Sequence, residues 1–163
     1  MLQCNQPGRL MRKLTLEELP AHVGEELAVG KWMTIDQARI DLFADATGDH
    51  QWIHVDPARA ADGPYGRTVA HGFLTLSLIP ILFQDALEIA AKLSINYGLD
   101  RVRFPHPVLV DSRIRGRFKL LEARPLPPIG AMAGLQVKME ATLECEGADK
   151  PACVAELVTR RYA

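Results

Sequence analysis

His71-Gly72-Phe73-Leu74-Thr75-Leu76-Ser77-Leu78-Ile79-Pro80-Ile81-Leu82-Phe83-Gln84-Asp85-Ala86-Leu87-Glu88-Ile89-Ala90-Ala91 is the stretch whose reading decides the fold. Its large apolar residues, from Phe73 to Ile89, do not keep to one stripe. They run nearly all the way round a helix, and a helix apolar on every side is a buried one. Pro80 lacks an N–H and crowds the preceding turn, so it must kink this helix or split it.

Downstream the pattern changes to β. From 135 to 145, Leu135, Val137, Met139, Ala141, Leu143 and Cys145 alternate with polar residues, the mark of a half-buried antiparallel strand. Between 112 and 121, Ile114, Phe118 and Leu120 alternate with Arg113, Arg115, Arg117 and Lys119. Residues 94–104 read as a strand broken at Gly98-Leu99-Asp100, and 152–161 as the last strand after a turn at Gly147–Lys150. Pro125 to Gly130, with three prolines, reads as a loop. A helix greasy on all faces, in a domain this small, needs a sheet curled around it. The expected architecture is α+β: a hotdog fold, with a long buried central helix wrapped by a curved antiparallel β-sheet. The helix covers one face of such a sheet, so a second copy is expected over the remaining apolar surface, giving a homodimer.

Upstream lie shorter elements. Thr15-Leu16-Glu17-Glu18 is a capping-box pattern limited by Pro20 and Gly24, and residues 25–33 alternate weakly as a first strand. Thr34-Ile35-Asp36-Gln37 reads as a second capping box, with Ile35, Ala38, Leu42, Phe43 and Ala46 on one helical face. Gly48 fits the position after that helix, where positive φ is common. Asp56-Pro57 starts another short helix, through Ala61.

Composition narrows the possible functions. The chain has 163 residues, read as one domain over 1–163, with 48% hydrophobic and 24% charged residues and a net charge of −1. Such a charge gives no general reason to expect nucleic acid or an anionic membrane as partner. No apolar run approaches the roughly 20 residues of a membrane span. Met1 to Lys13 has no signal-peptide core, so a cytoplasmic protein is expected. Cys4, Cys145 and Cys153 lack metal spacings. Cys145 and Cys153 could face each other across a hairpin, but the odd count and the expected compartment favour reduced thiols.

Between the two capped helices lies Thr47-Gly48-Asp49-His50-Gln51-Trp52-Ile53-His54. It sets a carboxylate and an imidazole five positions apart, too far to stack on one helix face but able to meet in a turn. Gly72 adds a third component. It opens a helix, where a first-turn N–H has no partner, and without a side chain it lets a carbonyl approach the backbone. A base, an orienting partner and an oxyanion donor are the parts of an acid–base site. His50 and His54, four apart, invite a metal reading, but Gly48 and the turn argue against a helix there. No metal is expected.

Gly48-Asp49-His50-Gln51-Trp52-Ile53-His54 resembles the Gly-Asp-x-Asn-Pro-(aliphatic)-His signature of the MaoC-like, (R)-specific enoyl-CoA hydratases. Val69-Ala70-His71-Gly72-Phe73-Leu74 resembles that family's second signature, at the head of the hotdog helix. The likeness extends from about Thr34 to the last strand and is greatest to the nodulation protein N branch. It implies that Asp49 and His54 are the catalytic pair and that the Gly72 amide is the oxyanion donor. Gln51 stands for the usual Asn and Trp52 for the usual Pro; with His71 and Phe73 they are the expected substrate contacts. His71 itself reads as a hydrogen-bonder at the helix start rather than a catalyst. The implied reaction is reversible syn hydration of a trans-2-enoyl-CoA to a (3R)-3-hydroxyacyl-CoA, with coenzyme A as part of the substrate and no other cofactor. The alternatives are dehydration of 3-hydroxyacyl groups on acyl carrier protein, an acyl-thioester-binding hotdog module without catalysis, and a thioesterase. The Arg113–Lys119 row reads as a solvated strand face, with a contact to coenzyme A phosphates as its rival.

Overall fold

The structure is a computed structural model and describes residues 11–163; Cys4 and the Met1–Leu10 part of the N-terminal reading lie outside the described residues. Five strands run in the order β2 (Glu26–Val29), β6 (Ser112–Ile129), β7 (Met132–Cys145), β8 (Cys153–Tyr162), β5 (Leu93–Arg103), and β3 (Met33–Ile35) also pairs with β6. Every pairing in this sheet is antiparallel. The alternation of β7 is realised residue by residue: Leu135, Val137, Met139, Ala141, Leu143 and Cys145 are all buried. They face helices α4 (Gly72–Ser77) and α5 (Ile79–Gln84), whose Leu74, Leu78, Ile79 and Leu82 are buried against the sheet. Phe83 meets Phe118 of β6 edge to face, with ring centroids 5.1 Å apart. This is the α+β hotdog arrangement, with the helix as its filling.

The helix is shorter than the apolar run predicts. It breaks at Leu78, and Pro80 lies in the first turn of α5, where a missing N–H costs nothing. Its helical part stops at Gln84, and Leu87–Ala90 is a strand, β4, paired in parallel with β1 (Arg12–Thr15). Ile89 is buried, but opposite Leu14 in that ladder rather than on a helix. Its partner lies some 75 residues earlier, so no local pattern could reveal it. Nor is the helix buried all round: Phe73 is 70% exposed and Ile81 41%.

Three further readings are corrected. Helix α1 (Gln37–Thr47) is capped by Asp36, which accepts from the Arg39 N–H, and not by Thr34. Thr34 and Ile35 belong to β3, where Ile35 is buried. The buried face of α1 is therefore Ile40 and Ala44, while Leu42 is 69% exposed. Pro125 to Ile129 is strand, not loop. There, among the described residues, β6 pairs only with β7, because the β2 ladder ends opposite Lys119, and prolines are tolerated along an edge that needs no donor. Cys153 lies opposite Leu143 and Cys145 opposite Ile114, so the two thiols do not face each other. Both are free and buried, and burial pushes Cys153 up to about 11.

Other local signals hold. Thr15 and Glu18 exchange capping hydrogen bonds ahead of a short 3-10 turn at Leu19–His22. Gly48 closes α1 at φ 77°. Asp56 caps α3 (Pro57–Ala61) through the Arg59 N–H. The register of β5 against β8 shifts around Gly98 and Asp100, where the break was expected. The arginine row is a paired surface: Arg113 bonds Glu146, Arg115 bonds Glu144, and Arg117 bonds Glu26 and Glu144.

Candidate active site

Helix α1 ends at Gly48 and a second short helix, α2 (Trp52–Val55), begins four residues on. The turn between them carries Asp49. Its Oδ1 accepts from the Gln51 N–H at 3.4 Å, and its side chain is 55% exposed. Helix α2 carries His54, which is buried. The Asp49 carboxylate and a ring nitrogen from each of His54 and His71 lie within 4.8 Å of one another. One water hydrogen-bonded to two such groups at about 2.8 Å each would span that distance. The turn thus does what helical stacking could not.

The state of His54 follows from its partner. Nδ1 lies 2.7 Å from the Val69 carbonyl oxygen. A carbonyl only accepts, so Nδ1 carries the hydrogen, and in the neutral ring Nε2 is left bare as a base. Burial is the main reason its pKa falls below the ordinary histidine value of 6.5, and the neighbouring His71 acts in the same sense. The Val69 hydrogen bond and the Asp49 charge oppose the shift without reversing it. Burial, rather than the start of α3, therefore keeps the imidazole neutral. Protonation of the folded state lags behind the ordinary value, so a base of this kind stays active until the pH falls below 6.5. The acid limb of kcat/KM is accordingly expected below pH 6.5. A limb above 7 in a pH–rate series would contradict it.

Val69 is held in place to receive that bond. Its own N–H donates to the Ile53 carbonyl at 3.0 Å, so α2 and the 68–70 segment clamp each other twice. The same segment is tied on its other side to Val108 and Val110. A buried polar chain backs the clamp. Thr68 Oγ1 donates to Gln37 Oε1 at 2.5 Å, and Gln37 Nε2 donates to the His54 carbonyl at 2.8 Å. Gln37, expected to close a capping box, instead braces the turn that carries Asp49 and His54. Thr68→Val keeps the shape but removes the donor, and should cost about 1–3 kcal/mol in urea unfolding. A loss within about 0.5 kcal/mol would mean the chain is not bracing anything.

His71 is the N-terminal cap of α4 and is 3% exposed. Its Nε2 donates to the Asp49 backbone carbonyl at 2.9 Å and stands 4.0 Å from Asp49 Oδ2. Its ring stacks on His54, centroids 3.7 Å apart at 24°, with Phe43 on hand at 5.1 Å. It thus pins Asp49 and walls His54. Gly72 follows directly as the first residue of α4. A Cβ there would sit 3.2 Å from the exposed Phe104 ring, which would have to shift slightly, whereas glycine leaves the approach to its N–H open.

The other expected contacts fall less centrally. Gln51 is exposed at the N-cap of α2. The Trp52 ring packs on Gly63 and under the Arg59 guanidinium at 4.5 Å, so it locks the α2–α3 corner. Phe73 is exposed and meets Phe104 edge to face at 6.3 Å. His50 turns outward to Asp45 at 2.9 Å and does not share a site with His54. Asp49, His54 and His71 thus bring three donor atoms close together. Val69, Gln37, Thr68, Phe43 and Phe104 were not singled out for the site from sequence.

A helix inside a curled antiparallel sheet defines a hotdog-fold protein, and an Asp–His pair stands beside the head of that helix. The MaoC like domain profile matches residues 18–137, and the chain belongs to that family, a hydro-lyase one. It is 49% identical over 150 residues to 3-hydroxyacyl-thioester dehydratase Z of Mycobacterium tuberculosis, covering 91% of this chain and 97% of the relative. It is 47% identical over 152 residues to Nodulation protein N of Rhizobium leguminosarum bv. viciae, covering 91% and 92%. Among solved structures, the (R)-hydratase from A. caviae involved in PHA biosynthesis superposes with a TM-score of 0.63 at 25% identity, covering 84% of this chain and 94% of that one. No helix among the described residues is long and apolar enough to cross a membrane.

Proposed function

We propose that this chain is an (R)-specific enoyl-CoA hydratase, working as one domain in a cytoplasmic homodimer, with Asp49, His54 and Gly72 as its catalytic groups. The observation that carries the reading is the pairing of a neutral, Nδ1-anchored His54 with the Asp49 carboxylate at a distance one water can bridge. The names of its relatives support a thioester substrate and a hydroxyacyl product.

Hydration adds OH to C3 and H to C2 of the enoyl thioester. The bridging water loses a proton to the pair as its oxygen attacks C3. Negative charge then develops on the thioester oxygen, and the proposed donor to it is the Gly72 N–H, a first-turn amide with no partner in its own helix. The pair returns a proton to C2, so it ends as it began. Because one pair handles both transfers from one side, addition is syn. No redox or metal cofactor enters this balance, and coenzyme A is carried by the substrate. His71 holds Asp49 in position, and Phe73, Gln51 and Trp52 remain the proposed wall toward the acyl group.

The dimer reading rests on β5. It is the last strand of its sheet, and it exposes Leu93, Ile95, Tyr97 and Leu99. An open apolar edge of this kind is usually covered.

The test is loss of enoyl absorbance on short and medium trans-2-enoyl-CoA thioesters, with chiral analysis of the product. The expected product is the (3R)-alcohol. Release of free thiol in its place would indicate a thioesterase. Turnover confined to the acyl carrier protein thioester would indicate the dehydratase alternative. Binding without turnover would leave only an acyl-binding module.

A further inference from the structure

A cavity lies at the other end of the helix, away from Asp49 and His54. It has a volume of about 530 Å³ and is bounded by α5, β4 and the sheet wall. Strand β8 shows where it opens. Along its inner face Cys153 and Ala155 are fully buried, but Leu157, Thr159 and Arg161, the next three on that face, are only partly covered. All three line the cavity.

Its walls divide into two kinds. Ile79, Phe83, Leu87, Phe118 and Met139 make the inner part apolar. At the strand end a polar block stands out. Ser94 pairs with Arg161 and Asn96 pairs with Thr159 across β5 and β8, and all four border the same space. Arg161 is the cation of this block. Its Nε is buried, and among the described residues it has no hydrogen-bond partner. Its guanidinium lies 5.3 Å from the Phe83 ring centroid. The one carboxylate lining the cavity, Glu88, is engaged by Lys13 Nζ at 2.7 Å. Met1 to Leu10 contain no Asp or Glu that could serve instead.

A cation partly buried beside apolar groups, with its Nε shut off from water and unpartnered among the described residues, is costly. Burial accordingly pulls Arg161 below the ordinary arginine pKa. A planar guanidinium beside a hydroxyl and an amide suits a carboxylate, which it can grip with two N–H groups. A single cation beside so much apolar wall suits one negative charge rather than a phosphate. From Arg161 to Leu157 the strand runs about 13 Å, the reach of an extended chain of roughly ten carbons.

We propose that this cavity binds a carboxylate-bearing apolar chain, its head on Arg161 and the Ser94–Asn96–Thr159 block and its tail along Phe83, Phe118 and Met139. Such a chain has two possible sources: a free fatty acid, or an acyl substrate whose far end is itself a carboxylate.

Decanoate, titrated calorimetrically into the intact protein, tests this. It should bind saturably and about tenfold more tightly than decan-1-ol, which has the same tail and no charge. Arg161→Gln should weaken decanoate about tenfold and leave decan-1-ol unchanged. Equal affinity for the acid and the alcohol in the parent protein overturns the proposal, even if the variant fails to fold. So does an unaltered decanoate affinity in a folded Arg161→Gln. Where binding holds, competition between decanoate and a long enoyl thioester identifies the far end of the acyl path, and non-competitive behaviour identifies a separate fatty-acid site. The binding measurement uses no turnover, so it can fail while the hydratase reading stands, and the reverse.

Discussion

His54→Gln lowers kcat/KM for enoyl-thioester hydration by about a thousandfold. The glutamine amide can still donate to the Val69 carbonyl, so the clamp between α2 and the 68–70 segment is kept. What it lacks is a nitrogen that takes up a proton. The fall should appear in kcat as well as in kcat/KM, because the lost interaction belongs to the transition state. Steady-state assays with melting curves on the same preparations check this. A variant that keeps its melting temperature and retains activity within tenfold would remove His54 from the chemistry.

Asp49→Asn is expected to have an effect of the same order, about a thousandfold. Here the structural cost is small. Asp49 is exposed, and an asparagine Oδ1 can still accept from the Gln51 N–H. Its backbone carbonyl, which holds His71, is untouched. Stability should therefore change by no more than about 0.5 kcal/mol. The variant separates a carboxylate that moves protons from one that only shapes a turn. Full activity in Asp49→Asn would favour the turn.

Much of this was legible because it is local. The β7 alternation, the Gly48 stop and the Asp56–Pro57 start each depend on residues within a few positions, and each appears where it was read. The misreadings share a different cause. Leu87–Ala90 became strand because β1 lies alongside it. Pro125–Ile129 became strand because β7 is long enough to pair with it and, among the described residues, nothing pairs on its other side. Ile35 left the helix because β6 offers Ser112 as its partner. In each case a distant partner overrode a local preference.

The site divides the same way. Asp49, His54, His71 and Gly72 are all side chains or backbone positions that a motif can mark. The group that sets the His54 tautomer is a backbone carbonyl, Val69, which leaves no trace in residue type. Gln37 and Thr68 brace the turn through contacts 17 and 31 residues away, and Phe104 covers Gly72 from beyond β5. Trp52, expected near the substrate, is occupied with Arg59 and Gly63.

The central claim is that Asp49 and His54 act together on one water. The most direct measurement is kcat/KM of Asp49→Asn/His54→Gln beside the two single variants. If the pair works as a unit, the second substitution has little left to remove, and the double variant should fall within about tenfold of the worse single one. If the losses multiply, to about a millionfold, the two groups act independently and the shared water is wrong.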